Sequence, residues 1–85
     1  YGLRIKEAEL AAIFIENEED KLIKISFRSK TNLDVNLLAR TYFNGGGHIN
    51  AAGGSSHTSL EDTIQYFLEV LPQFLSRTDA YSKQI

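Results

Sequence analysis

The sequence predicts an α+β domain: a small mixed β-sheet with helices packed on one face, in the order β-β-α-β-α. Three observations lead there. An apolar run and an alternating run flank a short acidic segment, two later stretches carry apolar residues at helical spacing, and a run of small residues separates those two stretches. Helices segregated from a small sheet make a two-layer domain.

Leu10–Ile15 is a continuous apolar run, the pattern of a strand buried on both faces. Asn17–Lys21 is polar and acidic, the right length for a hairpin loop. In Leu22–Arg28, Ile23, Ile25 and Phe27 alternate with Lys24, Ser26 and Arg28, which predicts a half-buried strand antiparallel to the first. After a polar connection, Asn32 or Asp34 can cap a helix in which Val35, Leu38, Ala39, Tyr42 and Phe43 share a face. Asn44 and Gly45 sit where a left-handed C-terminal cap is needed. Ala51–His57 is a third strand candidate. Ser59 with Asp62 resembles a capping box, and Leu60, Ile64, Phe67, Leu68 and Leu71 give the second helix its apolar face. Pro72 should end or kink that helix, and residues 76–85, mostly polar, are expected to fray.

Eighty-five residues make one domain, residues 1–85, with 42% apolar and 24% charged residues, which argues against disorder. Cysteine is absent, so disulfides, thiolate chemistry and Cys-based zinc sites are excluded. No stretch of 18 apolar residues is present to span a membrane, and nothing resembles a secretory signal, so a cytoplasmic location is expected. The chain begins at Tyr1 and has no methionine, which points to a piece of a longer protein. The formal net charge is −2, so contact with a polyanion should be local and short.

The densest chemical signal is Asn44–Gly54, which holds five of the six glycines. Gly45, Gly46 and Gly47 remove side chains so that backbone N–H groups can approach an anion, and His48 adds a directional donor. The plain alternative is a helix cap and a tight turn with His48 at the surface; three glycines and a histidine exceed what a cap needs. A dinucleotide fingerprint fails because Asn50 stands at its third glycine, and a phosphate-binding P-loop fails because no lysine follows. Arg28, at a strand end, offers a planar fork to phosphate or carboxylate, with Ser29 and Lys30 beside it. Metal binding is poorly supported: His48 and His57 have no carboxylate at ligand spacing, and Glu16, Glu18, Glu19 and Asp20 lack the pattern of a calcium loop. Ser55 and Ser56 near His57 lack an orienting acid and fit a strand end and helix cap better than a nucleophile.

Taken in order, these residues resemble one family. Gly45-Gly46-Gly47-His48 followed by Ala51-Ala52-Gly53 is similar to the Gly-Gly-Gly-His motif of the DHH-associated domain, the C-terminal lobe of DHH-family phosphoesterases. Ile25–Ser29 resembles the Ser-x-Arg-Ser strand end that precedes it, and Asp34-Val35-Asn36 the start of the intervening helix. The resemblance runs from about Leu10 to Leu71. It implies an N-terminal domain of the same protein that carries Asp-His-His and holds two manganese ions (Mn2+), with this lobe gripping substrate. Arg28 and His48 would contact phosphate or base, Gly45–Gly47 would supply amides, and Ser29, Lys30 and Asn50 would assist. The implied branch cleaves short oligoribonucleotides and 3′-phosphoadenosine 5′-phosphate, with cyclic dinucleotides, single-stranded nucleic acid and polyphosphate as other family substrates. This fragment alone would bind without hydrolysing, and a homodimer remains open. Two rival expectations are a tRNA-binding C-terminal domain of the alanyl-tRNA synthetase type, disfavoured by the net charge, and a non-catalytic interaction module.

Overall fold

The computed structural model describes residues 1–83, with side chains through residue 76. Five strands form one sheet: β1 (Gly2–Ile5), β2 (Leu10–Asn17), β3 (Leu22–Ser29), β4 (Gly46–His48) and β5 (Ala51–Ser56). Helix α1 (Val35–Tyr42) joins β3 to β4, and α2 (Leu60–Lys83) follows β5. The order across the sheet is β1-β2-β3-β5-β4, and each neighbouring pair is antiparallel. The domain is α+β as expected, but the sheet is antiparallel rather than mixed, and two strands, β1 and β4, join the three that the sequence predicts.

Strand β2 corrects the expectation of burial on both faces. Leu10, Ala12 and Phe14 are buried, whereas Ile13 and Ile15 are 47% and 57% exposed. The helices cover only one face of the sheet, so alternate residues of β2 and β3 meet solvent. On the covered face Phe14, Phe27, Phe43 and Phe67 pack around one centre in edge-on, tilted and stacked pairs, with ring centroids 5.3–6.3 Å apart.

Helix α1 begins where Asp34 caps it, its carboxylate accepting from the Leu37 N–H at 3.0 Å, and it buries Val35, Leu38 and Ala39. Ser59 caps α2 through a bond from the Asp62 N–H at 3.0 Å. The buried face of α2 is Thr63, Phe67, Val70, Leu71 and Phe74, while Leu68, expected inside, is 43% exposed. Pro72 does not end the helix. It sits on the solvent side, where the carbonyl it orphans can bind water, and Leu71 and Phe74 hold the helix to the sheet on either side of it. Residues 76–83, where fraying is expected, continue α2 as far as Lys83, and residues 84–85 lie outside the described residues. Among the described residues no helix is long and apolar enough to cross a membrane.

Candidate functional site

Sheet topology explains why distant residues gather. Because β5 turns back between β3 and β4, those two strands run parallel to each other, and β1 runs the same way across β2. Three strands therefore finish at one end of the sheet, carrying Arg4, Arg28 and His48 near their termini. The register is a single row: Arg4 opposite Ala11, Ala11 opposite Arg28, Arg28 opposite Ala51, and Ala51 opposite His48. Arg28 and His48 are two strands apart, which puts their Cα atoms about 10 Å from each other. Phe27 is fully buried, so its neighbour Arg28 projects from the face that no helix covers, and Arg28 is exposed. Its Nη1 donates to the Phe27 carbonyl at 2.8 Å, which leaves its remaining donors free to face a ligand.

The glycine segment is shaped by contact more than by donation. Asn44 adopts the left-handed conformation after α1 (φ 52°), and the Gly45 N–H donates to the Ala39 carbonyl at 3.1 Å. A side chain at Gly45 would run into the backbone of Gly53 and Gly54, so the strand pair closes only with hydrogen there. Gly47 has φ 153°, and its N–H donates to Asn36 Oδ1 at 2.9 Å. The amides of Gly45 and Gly47 are thus engaged within the chain. They do not form the open nest of donors that the sequence suggests, and the glycines serve to bring β4 tightly onto β5 and α1.

Ser29 and Asn50 are likewise drawn into the framework. The Ser29 hydroxyl donates to the Leu33 carbonyl at 2.8 Å and accepts from Asn50 Nδ2 at 2.9 Å, and the same Asn50 amide reaches the Thr31 carbonyl. The Ser29 N–H donates to the Asn50 carbonyl, and the Val35 N–H to that of Ile49. Together these bonds latch the two-residue turn after His48 to the connection leading into α1, fixing His48 relative to Arg28. Lys30 is exposed and stands apart from His48, on the side of β1. Its N–H donates to the Glu9 carbonyl at 3.3 Å, bringing it beside the β1–β2 connection.

An open depression of about 310 Å³ lies at this end of the sheet, lined by Arg4, Lys6, Glu9, Arg28, Ser29 and Lys30 among others. Arg4 and Lys6 are not foreseen from sequence. Their one signal is the alternation of Leu3 and Ile5 with Arg4 and Lys6, too short to define a strand. The acidic turn Glu16, Glu18, Glu19 and Asp20 sits at the opposite end. From Leu22 to Arg28 the strand covers about 20 Å, more than two Debye lengths at physiological salt. The net charge of −2 therefore hides a basic end and an acidic end.

Ser56 and Thr58 also lie at the far end, where their hydroxyls bond Thr63, fully buried in α2, at 2.9 and 3.0 Å. The Ser56 hydroxyl is thus part of a strand-to-helix anchor. Among the described residues no three of His, Cys, Asp or Glu come together to hold a metal ion. The residues present do not fit such an ion, and no chemical step is assigned through one in this chain.

The model of the DHHA1 domain matches residues 2–77. No curated protein matches. Among solved structures, the chain is similar to an exopolyphosphatase-related protein from Bacteroides fragilis, with 37% identity and a TM-score of 0.74 over 82% of this chain. That match spans 20% of the other protein's length, so the chain corresponds to about a fifth of it. The family match over nearly the whole chain, with Arg28 and the Gly-Gly-Gly-His segment meeting at one end of an antiparallel sheet, shows that this chain belongs to the DHHA1 domain family.

Proposed function

We propose that this chain is the substrate-binding lobe of a phosphoesterase that hydrolyses short oligoribonucleotides or 3′-phosphoadenosine 5′-phosphate, the manganese ions and hydrolytic groups belonging to an N-terminal Asp-His-His domain. One observation carries this reading: Arg28 and His48 occupy one row, separated only by Ala51, and both side chains are exposed. There the guanidinium of Arg28 takes two oxygens of a phosphate, and the imidazole of His48 donates to the same phosphate or to the attached base. Ala51 keeps the surface between them low enough for a flat ligand. Ser29 and Asn50 position this pair through the latch, without themselves carrying charge to the ligand. The likeness to an exopolyphosphatase-related protein supports a second reading, in which the ligand is a linear phosphate chain.

Titration of the chain with 3′-phosphoadenosine 5′-phosphate, followed by backbone amide NMR shifts, tests the site. Shifts should concentrate at Arg28 and Gly46–His48. Arg28→Ala and His48→Ala should each weaken binding by about 1.5–3 kcal/mol, roughly ten- to hundred-fold. Both side chains are exposed, so stability should change by less than about 0.5 kcal/mol. Unmoved amides at Arg28 and Gly46–His48 under millimolar ligand would overturn the assignment.

A further inference from the structure

The depression beside Arg28 concentrates like charge. Arg4, Lys6, Arg28 and Lys30 line it against the single acidic residue Glu9. Among the described residues none of Arg4, Lys6 and Lys30 has a carboxylate partner. The chain has more acidic than basic residues, 11 against 9, so the lack of neutralisation here is not for want of acids. Four cations held together repel one another, and an anion of more than one charge relieves that repulsion. The feature is built by the fold: β1 and β3 end side by side across β2, and the bond from the Lys30 N–H to the Glu9 carbonyl closes the gap between their connections.

We propose that Arg4, Lys6 and Lys30, sharing Arg28 with the site above, form a second anion subsite that binds a further phosphate group of the same substrate. This rests on the reading that Arg28 and His48 hold the first phosphate. Arg28 stands at the middle of the row, with His48 two strands to one side and Arg4 two strands to the other. A ligand bound at Arg28 therefore has one phosphate position toward His48 and another toward Arg4. The lobe selects for substrates by the number of phosphates as well as by the group at His48. The shared chemistry is a run of two or more phosphates, whether joined through a nucleoside or directly.

The test compares affinities of the 85-residue chain for AMP, 3′-phosphoadenosine 5′-phosphate and inorganic tripolyphosphate, with amide shifts recorded for each. The bisphosphate should bind about ten-fold more tightly than AMP, with a steeper salt dependence, and its addition should move Lys6 and Lys30 as well as Gly46–His48. Tripolyphosphate binding as tightly as the bisphosphate identifies a bare phosphate run as sufficient; weaker binding identifies the nucleoside-linked pair. The double variant Arg4→Gln, Lys6→Gln should cut the preference over AMP to about two-fold, whereas the charge-matched Lys21→Gln, Lys24→Gln pair should keep it. Glu9→Gln should raise the preference by about two-fold, a gain that general destabilisation cannot produce.

Equal affinity for AMP and both multiphosphates would overturn the proposal, as would an undiminished preference in the Arg4, Lys6 double variant with a native spectrum. AMP shifts at Gly46–His48 with Lys6 and Lys30 silent toward every ligand would remove the second subsite and leave the first standing. Silence at both regions would remove both. Shifts confined to Lys6 and Lys30 would refute a shared substrate and, with it, the subsite as stated.

Discussion

Gly45→Ala should be among the most damaging single-methyl changes in this domain. An added Cβ would overlap the carbonyl oxygen of Gly53 and stand 2.7 Å from Gly54 Cα and 2.8 Å from Gly53 C. All three obstacles are backbone, so no rotamer change relieves them. Either β4 separates from β5 or the turn after α1 opens. Opening it strains the Gly45 N–H bond to Ala39 and the neighbouring bond from Ser55 N–H to the Phe43 carbonyl, 3.1 and 2.8 Å long. Overpacking costs about 1–3 kcal/mol and a lost hydrogen bond about 1 kcal/mol, so about 3 kcal/mol in total is expected. For a domain of this size that lowers Tm by about 12–24 °C. Gly53→Ala supplies the contrast, because its Cβ would meet only the Ile25 carbonyl oxygen at 3.5 Å, an ordinary contact. It should change stability by less than about 0.5 kcal/mol. Thermal and urea unfolding followed by circular dichroism decide the matter. A Gly45→Ala protein within about 1 kcal/mol of the parent would refute the steric argument.

Phe67→Ala removes the ring that touches Phe14, Phe27 and Phe43 and should cost about 3–5 kcal/mol, enough to leave a fraction of this small domain unfolded at 37 °C by calorimetry. Asp34→Ala deletes the α1 cap and should cost about 1 kcal/mol in a urea melt. Asn50→Ala breaks the bonds to Ser29 and Thr31; it should cost about 1 kcal/mol and, more tellingly, speed hydrogen exchange at Val35 and Ser29, whose N–H groups bond the turn. Unchanged exchange there would show that the latch does not hold the turn.

The sequence marks its own elements where side chains carry the pattern. The alternation of Ile23, Ile25 and Phe27 defines β3, and Asp34 with Val35, Leu38 and Ala39 defines α1 and its cap. Strand β4 has no such signal, since Gly46, Gly47 and His48 offer no apolar face; it exists because the backbone of β5 is there to pair with. Strand β1 is four residues long and becomes a strand by adding to the edge of β2. The exposure of Ile13 and Ile15 also escapes a local reading, because an apolar run does not say how many faces neighbours will cover.

The same division holds for the site. Local chemistry singles out Arg28 and the Gly45–His48 segment, since a guanidinium at a strand end and glycines beside a histidine are unusual wherever they fall. Only the tertiary structure decides that they share a row, that Arg4 and Lys6 join them, and that the acidic turn lies at the far end. Strand direction and order cause this. With β5 inserted between β3 and β4, parallel strands end together, and residues separated by twenty or more positions in the chain, as Arg28 is from Arg4 and His48, meet along one line. A composition sums charge over the molecule, whereas a ligand meets only the charge within a Debye length, and that local sum is fixed by topology.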